Sequence, residues 1–398
     1  MKFTSALGGL LLLGSVSASP VADDSGLQAR GKCQYKDKTC CAPDKDNIAD
    51  YGRTGYYPYR QTIYVKAHKS IQAAINKAHA GDKIVVAAGI YAEQITISKD
   101  GIELVGKKGA VIVPPKKFKK NTCSGLSGPK TEAGICVTGR GVQLEKFITE
   151  HRRVLGVKTK TQDVSVSGFE VRKFSGLNIA VVGCKNTHIT GNTLTDGGKY
   201  GTLTAGSVKT LVQGNKVSNT GLGPIAICMD NFSDVLVKDN NVANHNVGLC
   251  VQTDGADVQY NRVTQSCVGI FADPGTKNAK IRHNYVGPSN PKCDGAAGII
   301  LDGTIGVKVT DNVVEGQHKN QAATAIVLVD DPCVQTGPNV QLACLKLKKP
   351  AIATNNIFIR NTFRDNDLDI YTNTTGKGNV FKCNDCKTSF PIFDQCKL

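Results

Sequence analysis

The sequence has no tryptophan and only 2 methionines in 398 residues, and aromatic residues make up 6%. A chain so poor in flat rings has little with which to stack neutral sugars or unpaired bases. No recognition helix stands out either, so nucleic acid is not an expected partner. Acidic residues are in deficit, 33 against 49 Lys and Arg, giving a formal net charge of +16. Beyond Leu7 to Leu13 no apolar run approaches the ~20 residues of a membrane-spanning helix, so no membrane partner is expected. Only one segment has clear helical periodicity, which excludes helix-pair repeats. Neither a nucleophile elbow nor a phosphate-cradling loop occurs. Cys40-Cys41 and Cys383-x-x-Cys386 lack His or Cys partners at zinc spacing.

What is present begins with a secretory pattern. Lys2 precedes the apolar run, and Val16 and Ala18 stand at −3 and −1 of a cleavage site, so residues 1–18 read as a signal peptide. Arg30 offers a possible end for a short propeptide. Secretion into an oxidising compartment suits the 15 cysteines. Cys123 with Cys136, and Cys333 with Cys344, bracket loops and read as staples; Cys228, Cys250 and Cys267 fall in or beside apolar strands. An odd count leaves at least one thiol without an intramolecular partner. Asn231-Phe-Ser and Asn373-Thr-Thr are glycosylation sequons. The basic excess gathers at Lys116 to Lys120, Glu150 to Arg153 and Lys346 to Lys349; such a surface attracts polyanions. Outside the cell, that polyanion is an acidic glycan.

The organising feature is a repeat. Asn192, Asn215, Asn240, Asn261, Asn284 and Asn312 each follow a Val or Ile by three positions and precede an apolar residue by two, at steps of 23, 25, 21, 23 and 28. Asn361 follows 49 residues later, which is room for two turns or for one turn carrying a long insertion. Val166 to Phe169 and Val142 to Glu145 keep the spacing without asparagine. Each unit holds short alternating segments rich in Val, Ile and Thr, broken by Gly, Asn and Asp. That is strand and turn chemistry. A period of this length with three short strands per unit specifies an all-β, single-stranded parallel β-helix solenoid, and the right-handed sense is what the family resemblance given below implies. Asparagine tolerates the left-handed backbone of a tight corner and can hydrogen-bond up a column. Within "SIQAAINKAHAGDK", Ile71, Ala74, Ile75 and Ala78 form one apolar stripe, with Ser70 as N-cap and Gly81 as stop. This predicts an N-terminal capping helix over 70–80. The domains expected are a Cys-containing segment 19–63, a β-helix domain 64–382 and a Cys-rich tail 383–398. The stretch 331–356 reads as either a side loop or an irregular coil.

The run from "SIQAAINKAHAGDK" through "IVVAAGIYAEQITISKDGIELVG", with the recurring Gly-Ile strand, aspartate and asparagine, resembles secreted right-handed β-helix proteins of the pectin-lyase-like superfamily. The resemblance covers about Tyr64 to Asn379. It implies that the asparagine corner separates the second and third strands of a coil. It also implies that active sites lie on the sheet formed by the Gly-Ile strands. The Asn-Thr-Asp, Gly-His-Gly and Arg-Ile-Lys of polygalacturonase-like hydrolases are absent, as is the Asp-Pro-His-Asp of alginate epimerases.

On that mapping the strands are followed by acids: Asp230, Asp254, Asp273, Asp302 and Asp330. Stacked carboxylates share protons or bind a cation, and Asp230, Asp254 and Asp273 are the expected ligands of a Ca2+ ion. Each aspartate also stands in a turn signal, and turn capping is the competing reading. The strands are preceded by bases. Lys199, Arg153, Arg172 and His245 are candidates for proton abstraction beside a uronate carboxyl, and Tyr200 for returning a proton to the leaving oxygen. His151, Arg152 and Lys173 are candidates for gripping substrate carboxylates. The function expected is lyase-like or epimerase-like action on an acidic polysaccharide by a secreted, extracellular monomer. The alternative is a non-catalytic, glycan-binding wall or surface protein.

Overall fold

The computed structural model describes residues 51–396 except 53, 54, 56, 58, 59, 338, 339, 394 and 395. The expected signal peptide, Arg30, Cys33, Cys40 and Cys41 lie outside the described residues. The chain winds as a parallel β-helix in which each coil contributes three short strands. One sheet stacks first-face strands, running from Thr62–Val65 through Val208–Gln213 and Ser233–Lys238 to Val380–Lys382. A second, 19-stranded sheet holds the other two faces, because Lys216–Asp230 and Asn241–Val251 run on from one face to the next. Inside, apolar ladders cross the coils in register. Ile227 pairs with Leu249, Leu249 with Ile270, Ile270 with Ile299, and Ile299 with Ile326, all fully buried.

The repeated asparagine sits at the corner after the first face. Asn240 is wholly buried; its Nδ2 donates to Val212 O (2.9 Å) and to Asn261 Oδ1 (2.9 Å). Its Oδ1 accepts from Asn215 N and Asn215 Nδ2, both at 3.0 Å. The column continues directly from Asn312 to Asn361 and on to Asn384. The interval of 49 residues is therefore one turn with an insertion. The left-handed backbone falls not on the asparagine but on the residue before it: Asp239, Tyr260, His283, Asp311 and Arg360 have φ of 54–57°. The asparagine supplies side-chain bonds and its neighbour supplies the bend.

The Gly of the Gly-Ile signal has a steric cause. A Cβ on Gly269 would lie 2.3 Å from Val286 Cγ1 and 2.6 Å from Gly298 O. The second face of the next coil approaches too closely there for a larger residue. A second corner, before each first-face strand, is lined by Ser207, Asn231, Thr253, Thr276 and Thr304, all buried. Thr253 and Thr276 donate to the carbonyls of Met229 and Val251 in the preceding coil. Asn231 Nδ2 donates to Thr210 Oγ1 at 3.0 Å, so this sequon is folded inside and only Asn373 is exposed.

Two expectations shift. The helix is Ile71–Lys77, shorter than 70–80, with Ser70 Oγ accepting from Ala73 N. It buries Ile71, Ala74 and Ile75 against the first coil. Val142 to Glu145 is not a repeat unit. Arg140–Leu144 pairs antiparallel with Val154–Thr159 in a hairpin, while Val166 stacks directly on Leu104. Two excursions therefore leave the spiral. One contains this hairpin. The other is closed by the antiparallel bridge between Asp331 and Ala351; it carries the Cys333–Cys344 disulfide and the helix Leu342–Leu347. Cys123–Cys136 forms the other expected staple. Cys228–Cys250, Cys267–Cys293 and Cys386–Cys396 are also bonded, and Cys184 is a buried free thiol.

Candidate functional site

The two excursions meet over the outer side of the third face. Strand register decides which residues face them. Asp230 follows Met229, Gln252 follows Val251, Asp273 follows Ala272, and Asp302 follows Leu301. Those preceding residues are successive partners in the ladder. Asp230, Gln252, Asp273 and Asp302 thus form one outward column. The sequence signal was present as Cys-Met-Asp, Cys-Val-Gln, Phe-Ala-Asp and Ile-Leu-Asp, but turn-based alignment put Asp254 where Gln252 belongs. Asp254 lies on the following turn, where its Oδ1 accepts from Lys277 N at 2.8 Å. Asp330 is likewise a turn residue, accepting from Ala353 N, Thr375 N and two threonine hydroxyls.

The hairpin excursion brings Glu150 to Arg153 onto this column. His151 is buried: its Nδ1 lies 3.1 Å from Tyr200 Oη and its Nε2 3.2 Å from Asp230 Oδ2. Burial first, then the charges of Glu150, Asp273 and Asp230, holds the Tyr200 phenol well above its usual range. Tyr200 is therefore neutral, and the donor and acceptor roles along Tyr200, His151 and Asp230 follow from the tautomer of the imidazole. The Asp230 side chain is 14% exposed against 0% for His151, so the chain of three groups reaches solvent at the carboxylate.

Next to it lies a buried acid network. Gln252 Nε2 donates to Glu150 Oε2 (2.7 Å) and to Asp273 Oδ1 (3.1 Å). Leu342 N of the second excursion donates to Glu150 Oε1 (3.0 Å). Gln341 Nε2 bridges Asp302 and Asp331. Burial, then Glu150 and the flanking aspartates, pushes Asp273 well above the carboxylate range against the hydrogen bond from Gln252. Burial and Asp331 do the same to Asp302 against the bond from Gln341. Both carboxyls are thereby biased toward their protonated forms, and Asp230 is the member of the column whose side chain stays partly exposed.

Beside Asp230 opens a cleft of about 240 Å³, lined by Gln252, Asp254, Arg153, Lys277 and Lys346. Its walls come from both excursions and from the turn after the third face. Arg153 is anchored to Glu145 at 2.9 Å; Lys277 and Lys346 are exposed. Arg152 turns away and donates to the carbonyls of Leu144 and Glu145, so it holds the excursion's shape.

The other basic candidates are not brought to this cleft. Arg172 lies on the second face and pairs with Glu170 at 2.8 Å; Lys173 is exposed on the turn that follows it. Lys199 is exposed at the entry to the third face, whereas Asp230 lies at its exit. His245 is at the entry too. It is buried, burial lowers it to about 4, and its Nδ1 has no hydrogen-bond partner. Their physical separation follows from strand length: bases and acids occupy opposite ends of the same face.

Of the aspartates expected to hold calcium, Asp254 caps a turn beside the cleft, Asp273 is buried in the acid network, and Gln252 stands between Asp230 and Asp273 in the column. Among the described residues the one group with ligand atoms mutually within 4.8 Å is Asp331, Cys333 and Cys344, and that cysteine pair is a disulfide. No helix of the described chain is long and apolar enough to cross a membrane.

Residues 117–286 match the family model described as a right handed beta helix region. The fold is similar to that of the A-module of the Azotobacter vinelandii mannuronan C-5 epimerase AlgE4. That match has 14% identity and a TM-score of 0.53, and covers 80% of this chain and 90% of that one. It is also similar to a tailspike protein mutant of E. coli bacteriophage HK620 in complex with a pentasaccharide. Here identity is 10% and the TM-score 0.52, with 81% of this chain and 58% of that one covered. No curated protein matches the sequence. The protein has a right-handed parallel β-helix fold.

Proposed function

We propose that the protein acts on an acidic polysaccharide by moving a proton at a uronate, with Asp230 as the base. The observation that carries this reading is the cleft itself. An oriented carboxylate, backed by His151 and Tyr200, shares it with Arg153, Lys277 and Lys346. Cations there would neutralise a uronate carboxylate and acidify the carbon beside it. Asp230 takes that proton, and the electron pair passes into the carboxylate as an enediolate. Return of a proton to the opposite face inverts the centre. Expulsion of the neighbouring glycosidic oxygen instead forms a carbon–carbon double bond, and the departing oxygen takes up a proton. His151 and Tyr200 are positioning residues, since neither reaches the cleft. No step is assigned to calcium. The fold relatives named above are a mannuronan C-5 epimerase module and a tailspike in complex with a pentasaccharide, which agrees with this substrate class.

The test is incubation with polygalacturonate, alginate and glucuronan. Product is followed by the absorbance of an unsaturated uronate and by solvent deuterium gained without cleavage. Asp230→Asn is expected to remove either signal by at least 100-fold while still binding polymer. Full activity in that variant refutes the assignment. Salt-sensitive binding by the wild type with no turnover of any polymer leaves a glycan-binding protein.

A further inference from the structure

Lys173 and Lys199, which sequence reading placed in the active site, instead gather elsewhere with four further lysines. Lys116, Lys117, Lys119 and Lys120 are exposed on the segment that leads into the first excursion. Lys119 N donates to Gln94 Oε1, and Asn121 Nδ2 to Thr96 Oγ1, so this segment lies along the entry edge of the third face. Phe118, 41% exposed, places its ring 6.5 Å from the buried ring of Phe174. Lys173 immediately precedes Phe174. Gly198 N donates to Phe174 O at 2.8 Å, which brings Lys199 to the same edge. Six exposed lysines therefore surround one exposed phenyl ring.

The acids of this edge are already engaged. Glu93 accepts from Ile71 N and Gln72 N at the start of the first helix. Glu132 accepts from Gln94 and Ser124, and Asp196 from Thr220. Glu170 pairs with Arg172. None of the six lysines forms an ion pair among the described residues. Six ammonium groups against the carboxylates of Glu93, Glu132 and Asp196 leave the edge net positive, and a polyanion would neutralise that excess. The exposed phenyl gives such a ligand an apolar surface to rest on. The cleft at Asp230 is a separate place. Tyr200–Ala205 spans from this edge to the Asp230 column, and its six residues cover roughly 17 Å at ~3.3 Å per residue.

We propose that this edge is a second, non-catalytic anchoring site for a linear polyuronate, remote from the Asp230 cleft. The choice of polyuronate rests on the function proposed above; the existence of an anionic ligand rests on the lysines alone. A chain long enough to reach both places is held twice, so its affinity exceeds that of a fragment filling the cleft only.

The test uses the full chain and measures binding of polygalacturonate, alginate and their trimers by titration calorimetry. The variant is K116E/K117E/K119E/K120E. The control is K280E/K308E/K377E/K387E, four exposed lysines outside this edge. Circular dichroism verifies that both fold. Polymer affinity is expected to fall at least tenfold in the first variant and less than twofold in the control, with trimer binding equal in all three. The salt dependence of polymer binding should weaken only in the first variant. Equal polymer affinity in both variants overturns the proposal, as does a DNA duplex bound as tightly as polyuronate through the same lysines. Patch-dependent binding without turnover refutes the catalytic reading and leaves this site standing. Turnover with patch-independent binding does the reverse.

Discussion

Replacing Asn240 tests the central structural claim, that the asparagine column holds the coils through side-chain bonds. Asn240 is wholly buried, and its side chain takes part in five hydrogen bonds, to Val212 O, Lys238 O, Asn261 Oδ1, Asn215 N and Asn215 Nδ2. Asn240→Ala removes all five. The two donors of Asn215 then lose their acceptor. At about 1 kcal/mol net for each of the five bonds, with the surcharge for stranded buried donors, the loss is at least about 5 kcal/mol. Asn240→Asp is the sharper probe. It keeps both acceptors for Asn215 but withdraws the amide donor and sets a carboxylate against the carbonyls of Val212 and Lys238. If the bonds matter, Asp is at least as damaging as Ala; if the residue merely fills a corner, Asp is benign. Asn373→Ala, at an exposed position, should stay within about 0.5 kcal/mol of the parent. Urea unfolding at neutral pH, followed by circular dichroism, reads all three. Losses below 1 kcal/mol in both Asn240 variants refute the reasoning.

Asp273→Asn addresses the buried acids. A carboxyl whose folded pKa is raised contributes stability that is complete at low pH and is lost as pH rises through that raised value. The wild type should therefore lose up to about 1.4 kcal/mol per pH unit relative to the variant between the ordinary carboxylate range and that raised value, and level off above it. Identical pH–stability profiles for the two would contradict a raised Asp273. Cys184 is buried and its thiol is pushed up to about 12 by that burial, so a thiol reagent at pH 8 should modify it in urea and spare it in the native protein. Rapid native modification would show that the first-face corner opens.

What the sequence made legible was everything periodic. The asparagine column, the Gly-Ile strands and the apolar ladders each leave a residue type at a regular interval. Their physical cause, stacking of equivalent positions, acts on every coil alike. The acid column was half legible. Asp230 and Asp273 stood out as the ends of strands, but Gln252 was hidden because turns vary in length, so counting from the turn promoted Asp254 in its place. The bases were misread for a related reason. Arg172, Lys173, Lys199 and His245 do recur near strand entries, yet a strand of six residues separates entry from exit, and no pattern in the sequence says which end a ligand uses.

The placement of the remaining residues was illegible because they break the period. Glu150, His151, Arg153 and Lys346 belong to the two excursions, and nothing in their local sequence states which coil they will cover. Yet the cleft exists only where these excursions touch the regular column. A bare β-helix face offers the same exposure to every coil and cannot choose one. Here Glu150 accepts one bond from Gln252 of the spiral and another from Leu342 of the second excursion, so a single carboxylate ties all three parts together. The same junction buries His151 against Asp230 and leaves that carboxylate alone facing solvent. Selection of one aspartate from a column of chemically similar ones is thus made by the insertions, not by the repeat. It follows that shortening either excursion should cost function while leaving the stacked coils folded.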